Sequence, residues 1–356
     1  MRIGCEFEGI KPQLSKFILD DSLQIENYKH NTLKVTNLHE FVEVISILTS
    51  YYSRFDWSYE TDGAAAYLLN CDHQFIYRGQ SNYAWDIEPS IAVSKLWGQD
   101  RNMVDTLRKM YPDDFNNNMS NFEILAKMQH FGLPTKLCDF SKNPLIALYF
   151  SCLDENHDFD GRIVMAYQDL TPRFDRIIDI ICNTKNHISE HSDGLMPVAD
   201  FNERYLNGLY APNEFWEAYV EHDGLFFSVP AYMSERERRQ QSVFLIFAKA
   251  LFLSDNVPYD DFGYFDKRKY NFNLFTEDNF SNVRVSEGFS RIPESKLSEE
   301  FVSIIINASS KAEILENLSY MGIDRSTIYS EIEHAARKIK DSAIRTKDMN
   351  HLNNLK

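Results

Sequence analysis

Phe75-Ile76-Tyr77-Arg78-Gly79-Gln80-Ser81 and Met128-Gln129-His130-Phe131-Gly132-Leu133-Pro134-Thr135-Lys136-Leu137-Cys138-Asp139 are the two stretches on which the reading of this chain turns. Each sets polar side chains beside glycine or proline inside an apolar frame, a mixture that packing alone does not call for. Gln74 to Tyr77 reads as a short aromatic-rich strand stopping at Gly79. Phe122 to His130 reads as a helix, with Phe122, Leu125 and Met128 three apart, Gly132 in the C-cap region and Pro134 just beyond. Gln129 and His130 then fall on the last helical turn, next to the Gly-Leu-Pro-Thr loop. The two blocks are expected to meet in one site.

Outward from these blocks the chain alternates helix and strand signals. Leu38, Phe41, Ile45 and Leu48 recur at helical spacing after a cap at Thr36 or Asn37. Asn143-Pro144 reads as an N-cap with proline at the first helical position, opening an apolar, buried helix to Leu153. Gly161 to Tyr167, with Ile163-Val164-Met165-Ala166 as its apolar run, Gln241 to Phe247 and Phe301 to Ile306 read as strands, while the Gly161-Arg162 pair taken as a motif reads only as a turn. Ser310 with Glu313 has capping-box spacing for a helix to about Met321, closed by Gly322, and Asp324 caps a second helix running to about Lys340. The expected fold is α+β, a mixed central sheet packed by helices with a C-terminal helical pair. Its expected divisions are an N-terminal extension over 1–34, a core over 35–255 and a C-terminal region over 256–356.

Bulk properties narrow the function. A hydrophobic content of 44% with 25% charged residues describes an ordinary globular chain, and no run reaches the ~20 apolar residues of a spanning helix. The opening Met1-Arg2-Ile3-Gly4-Cys5-Glu6 has no secretory pattern, so a cytoplasmic protein with no membrane partner is expected. Five cysteines without a Cys-x-x-Cys pair suggest neither a disulfide framework nor a metal site. A net charge of −16 argues against nucleic acid as a partner, since backbone binding needs a basic footprint. Phosphate-loop, His-Glu-x-x-His and Gly-x-Ser-x-Gly signatures are missing.

The order of the polar blocks is similar to that of the FRG domain family, named for an aromatic-Arg-Gly tripeptide at the end of its first strand. The matching parts are Tyr77-Arg78-Gly79-Gln80-Ser81, Trp85, Glu88-Pro89-Ser90, Gln129 to Leu137, Asp139 with Asn143 to Phe150, and Arg236 with Gln240-Gln241-Ser242-Val243-Phe244. Lys136, Cys138, Phe140 and Ser242 stand where the family usually has Arg, Leu, Trp and Gly. Lys136 thereby loses a guanidinium fork. The resemblance implies a bacterial or phage setting, with phage defence or toxin action as the role.

Among the candidate residues, Arg78 leaves a strand where Gly79 would let a ligand approach closely, and its fork suits phosphate or carboxylate. The structural alternative is an Arg78–Asp139 ion pair. His130 at a helix C-terminus can titrate near neutral pH or simply cap. Asp139, in an apolar frame, needs a partner, and Arg78 or His130 would serve. The catalytic candidates are His130, Asp139 and Gln240; the ligand-binding candidates are Arg78, Gly79, Gln80, Gln129, Thr135 and Arg236, with Gln240 or Gln241 facing inward on the later strand.

Three functions remain open. The layout is similar to that of ADP-ribosyltransferases, which implies NAD or another nucleotide held between Arg78, His130 and Asp139, although no Glu-x-Glu or Gln-x-Glu pair occurs at the Gln240 strand. A ligand-sensing module without turnover is the second reading. A purely structural signature that ties strands and helix together is the third.

Overall fold

A computed structural model describes residues 7–18, 31–53, 73–96, 99–116, 118–153, 158–170, 175–182, 195–197, 203, 225–229, 235–247, 251–253, 282–285, 291–292, 297 and 300–329. Its frame is a seven-stranded sheet in the order β1-β10-β4-β2-β3-β7-β6. The strands are β1 (Thr32–Val35), β2 (His73–Gln80), β3 (Leu137–Ser141), β4 (Gly161–Asp169), β6 (Leu225–Ser228), β7 (Ser242–Phe247) and β10 (Val302–Ile306). β1 and β10 run parallel and every other neighbouring pair is antiparallel, so the sheet is mixed. β5 (Leu195–Pro197), β9 (Asn282–Val285) and β8 (Leu251–Leu253) form a second sheet of three strands.

The helices in chain order are α1 (Phe7–Ile10), α2 (Leu38–Tyr52), α3 (Ser90–Val93), α4 (Asp100–Met110), α5 (Asn121–His130), α6 (Pro144–Cys152) and α7 (Asp175–Cys182), followed by Glu235–Gln240, Lys311–Tyr320 and Arg325–Ile328. Helices packed on a mixed sheet make the fold α+β, as expected from the sequence. Strand alternation divides the core in two. Tyr77, Ile163, Met165, Ile304, Ile306 and Leu33 face α2, α6 and the N-terminal Phe7, Ile10 and Leu14. Ile76, Val164, Ala166, Cys138, Phe140, Val243 and Leu245 face the other way, with Ile87, Phe227, Ile292 and Phe301.

The cap signals act as their chemistry requires. The Asn37 side chain accepts the Glu40 N–H at 2.9 Å, Ser120 and Glu123 close a capping box on α5, and Asn143 accepts the Leu145 N–H ahead of Pro144. Gly132, at φ +83°, and Gly322, at φ +78°, turn the chain after their helices. Asp324 accepts from the Ser326 and Thr327 amides to open the second helix of the C-terminal pair, whose expected course beyond residue 329 lies outside the described residues.

Several expectations change. Ser310 makes no side-chain cap bond; it closes a 3-10 turn, Ala308–Ser310, that Asn307 caps instead. β2 runs through Gly79 to Gln80, and β4 begins at Gly161 as the strand reading has it, so Gly161-Arg162 is not a turn. β10 lies between β1 and β4, and Phe7, Ile10 and Leu14 share their core. The central helix signal is strong locally, but which strands border one another depends on pairings hundreds of residues apart.

Candidate functional site

β2 and β3 are neighbours that share a single bridge, Tyr77↔Ser141. β2 is otherwise held by eight register positions to β4, and β3 by five to β7. Beyond Tyr77 the β2–β3 ladder opens, and both polar blocks line the opening. There the Arg78 guanidinium donates from Nη1 to the Asp139 main-chain carbonyl at 2.7 Å, replacing a strand N–H. The expected Arg78–Asp139 link therefore exists but goes to the backbone, because alternation sends the two side chains to opposite faces of the sheet. Nε of Arg78 is buried and has no hydrogen-bond partner among the described residues.

The Asp139 carboxylate is exposed, the single exposed position in β3. A directed relay holds it. The Leu137 N–H donates to Thr135 Oγ1 at 3.1 Å, the Thr135 hydroxyl donates to Gln129 Oε1, and Gln129 Nε2 donates to Asp139 Oδ2 at 2.8 Å. An ionised carboxylate can only accept, so Gln129 turns its Nε2 to Asp139 and its Oε1 to Thr135, whose hydroxyl must then donate. Thr135 is wholly buried. Its N–H bonds Ser90 Oγ at 2.9 Å, and its carbonyl receives the Ile91 N–H at 3.0 Å, fixing the loop to α3. Gln129 and Thr135 thus join Asp139, with Gln129, not the expected Arg78 or His130, on the carboxylate in the bond just described. His130, half-buried at the C-terminus of α5, packs its ring edge-on against Phe131.

The close approach at Gly79 is made by α6. A Cβ there would stand 1.8 Å from the Ala147 carbonyl oxygen and 2.8 Å from the Ser151 nitrogen. Gly161 on neighbouring β4 is in the same position against the Ser151 carbonyl, at 2.3 Å. The space expected for a ligand above Gly79 is filled by helix backbone. Tyr77, the aromatic member of the tripeptide, is buried in the α6-side core, which raises its phenol. All three tripeptide residues therefore have packing roles, and Arg78 retains an unpaired donor.

Gln80 is likewise consumed. Its amide donates to the Asp86 carbonyl at 2.9 Å, and its oxygen accepts from Arg162 Nε and Nη2 at 3.2 and 2.7 Å. Arg162 also holds the Trp85 carbonyl at 2.6 Å. The sequence reading missed Arg162; its alternation with Ile163 and Met165 was the available signal, since a strand begun at Gly161 sends it inward. Lys136 is buried, with its ammonium donating to the Ile181 carbonyl at the C-terminal end of α7 at 2.7 Å, where the helix dipole favours a cation. No fork is needed there.

Gln240 and Gln241 lie off the strand. Gln240 ends the helix Glu235–Gln240, its carbonyl accepting from Ser141 Oγ at 2.6 Å and its amide nitrogen buried without a hydrogen-bond partner among the described residues. Gln241 takes φ +48° before Ser242 enters β7 opposite Ser141, so the left-handed turn falls one residue before the position where the family has glycine. Arg236 belongs to the same helix; its side chain lies outside the described residues.

Glu88 is raised above the ordinary carboxyl range, by burial first and then by Asp86, against a lowering by Arg291. Burial pushes the Cys138 thiol up to about 11, with Arg78 opposing and Asp139 and Glu88 adding to the rise. Among the described residues, no cluster of three or more His, Cys, Asp or Glu side chains could hold a metal ion, and no helix is long and apolar enough to cross a membrane.

The mixed sheet, with its paired polar blocks at one strand parting, defines an α+β protein with a polar site at the end of β2. Residues 73–160 match the FRG domain family, so this chain carries an FRG domain. No curated protein and no solved structure matches the chain. The matched segment holds β2 and β3, while β4 and β7, their principal partners, lie beyond it.

Proposed function

We propose that the FRG domain of this chain is a ligand-recognition module that binds a nucleotide-type small molecule where β2 parts from β3. The observation that carries this reading is an exposed carboxylate fixed by an internal relay at the strand position whose carbonyl anchors an arginine. The Asp139 backbone anchors Arg78 and its side chain is oriented by Gln129. Asp139 offers an outward acceptor to ribose hydroxyls, and the half-buried Arg78 guanidinium at the same opening supplies the positive charge that suits phosphate. NAD is one such ligand, and bacterial phage defence or toxin action is the setting we propose.

Recognition without turnover is favoured because Gln240, the residue intended for catalysis on the later strand, ends a helix instead. The second reading, an ADP-ribosyltransferase-like enzyme, draws support from Glu88, a partly buried carboxyl raised above the ordinary range by burial and by Asp86.

Calorimetric titration of wild type and Asp139→Asn with NAD, ADP-ribose, ATP, a cyclic dinucleotide and a short oligonucleotide tests the proposal. Asparagine can still accept from Gln129, so the variant keeps its fold and loses only the charge. At least one small nucleotide should saturate wild type and bind Asp139→Asn about tenfold or more weakly, the scale of one charge-assisted hydrogen bond. No binding by wild type, or equal binding by both proteins, refutes it.

A further inference from the structure

Main-chain direction in β3 is fixed by the bonds at its two ends. The Phe247 N–H bonds the Lys136 carbonyl at 3.0 Å, and the Lys142 N–H bonds the Gln241 carbonyl at 3.1 Å. Even-numbered residues of β3 therefore turn their N–H and C=O groups to β7, while Leu137, Asp139 and Ser141 turn theirs to β2. Ser141 meets Tyr77 there, and alternation along β2 points the N–H and C=O of Gly79 at β3 as well. Gly79 and Asp139 would be the next pair to exchange hydrogen bonds, but the register stops at Tyr77↔Ser141. The Asp139 carbonyl, the acceptor a continued ladder would give the Gly79 N–H, holds Arg78 Nη1 at 2.7 Å instead.

Gly79 is left with a main-chain donor aimed into the opening, and no side chain among the described residues takes it. α6 covers one face of this glycine, but its N–H lies in the plane of the sheet, and the residue is only half-buried. An amide N–H and a guanidinium directed at one carbonyl are both donor-only groups, and together they carry positive charge. The Asp139 side chain leaves for the other face, where Gln129 Nε2 holds it. An anionic oxygen entering the opening can accept from the Gly79 N–H and pair with Arg78 at once, the combination of main-chain amide and arginine that suits phosphate.

We infer that the Gly79 N–H and the Arg78 guanidinium seat a phosphate oxygen of the ligand, with Arg78 keeping that donor open by occupying its ladder acceptor. The inference rests on the nucleotide reading above and adds which main-chain atom the phosphate meets.

Gly79 is the one glycine of the chain preceded by arginine, so labelling arginine carbonyls and glycine nitrogens selects its amide in an NMR spectrum of the full chain. The probes are NAD, ADP-ribose, ATP and a cyclic dinucleotide, with adenosine as the control without phosphate and calorimetry alongside. In the free protein the Gly79 proton should exchange readily with solvent. A bound nucleotide should move its resonance and slow exchange by about tenfold or more, the scale of one charge-assisted hydrogen bond, and adenosine should do neither. Arg78→Met releases the Asp139 carbonyl, so the Gly79 amide should become protected without ligand and cease to respond to nucleotide. A Gly79 amide already protected in free wild type overturns the inference. So does a nucleotide that binds by calorimetry and leaves the amide unmoved, a result under which the ligand site still stands. Adenosine moving the amide as the nucleotides do overturns the phosphate assignment. Failure of wild type to bind any of the four nucleotides overturns both readings together.

Discussion

Replacing Gly79 with alanine separates two explanations of the family tripeptide. If the glycine exists so that a ligand can approach, Gly79→Ala should keep its stability and lose binding. The structure gives a different expectation. The added methyl would lie 1.8 Å from the Ala147 oxygen and 2.8 Å from both the Ala147 carbon and the Ser151 nitrogen. An ordinary contact needs at least ~3.4 Å, so α6 and β2 would have to separate by more than an ångström. Neither side can yield by turning a rotamer, because the obstructing atoms are helix backbone. Overpacking typically costs ~1–3 kcal/mol, and a backbone clash in the main core belongs at or above the upper end. At roughly 2–4 °C per kcal/mol for domains of ~150–250 residues, about 3 kcal/mol lowers Tm by ~6–12 °C, toward the smaller figure for a longer chain. Differential scanning calorimetry reads this directly. Gly132→Ala is the control: φ is +83° there, but nothing lies within 4 Å of the added methyl, so only ~1 kcal/mol of backbone strain is expected. A Gly79→Ala protein melting within a degree of wild type would refute the packing argument.

Two further outcomes follow from the same geometry. Thr135→Val keeps the shape of a buried side chain but strips the hydroxyl that takes the Leu137 N–H and orients Gln129; urea denaturation should show a loss of ~1–3 kcal/mol, and a loss below ~0.5 would remove the relay as a structural element. Cys138, Cys152 and Cys182 are free and buried, and burial pushes their thiols up to about 11, 12 and 12. These folded-state values exceed the unfolded ~8.5, so the protonated thiols favour the fold; that contribution is full below pH ~8.5 and is lost as pH rises through 11 and 12. The urea midpoint should fall across that window, and alkylation at pH 8 followed by mass spectrometry should leave all three unmodified in the native protein. Labelling of any one at the rate seen in denaturant would contradict the buried placement.

Much of the local structure is legible from residue order. Asn37, Ser120 with Glu123, Asn143-Pro144 and Asp324 mark helix starts because capping is a matter of atoms within three residues. Ser310 shows the limit of this: its spacing to Glu123's counterpart, Glu313, is right, but a preceding 3-10 turn fixes Ser310 in a helical conformation from which its side chain caps nothing. Likewise the run after Gln240 is plainly a strand, while its first residue depends on where the left-handed Gln241 places the turn.

By itself the sequence determined the α+β class, the helix starts set by caps and the FRG resemblance, because these rest on short-range chemistry and on periodicity. Tertiary structure alone decided what the polar residues do. Whether Gly79 admits a ligand or a helix depends on α6, which arrives from some seventy residues away. Whether Gln80 is free depends on Arg162 across a strand pair, and whether Arg78 meets the carboxylate or the carbonyl of Asp139 depends on the face to which each strand turns its side chains. Those outcomes are properties of the pairing register, and a one-residue slip in it would exchange the two faces and every partner on them.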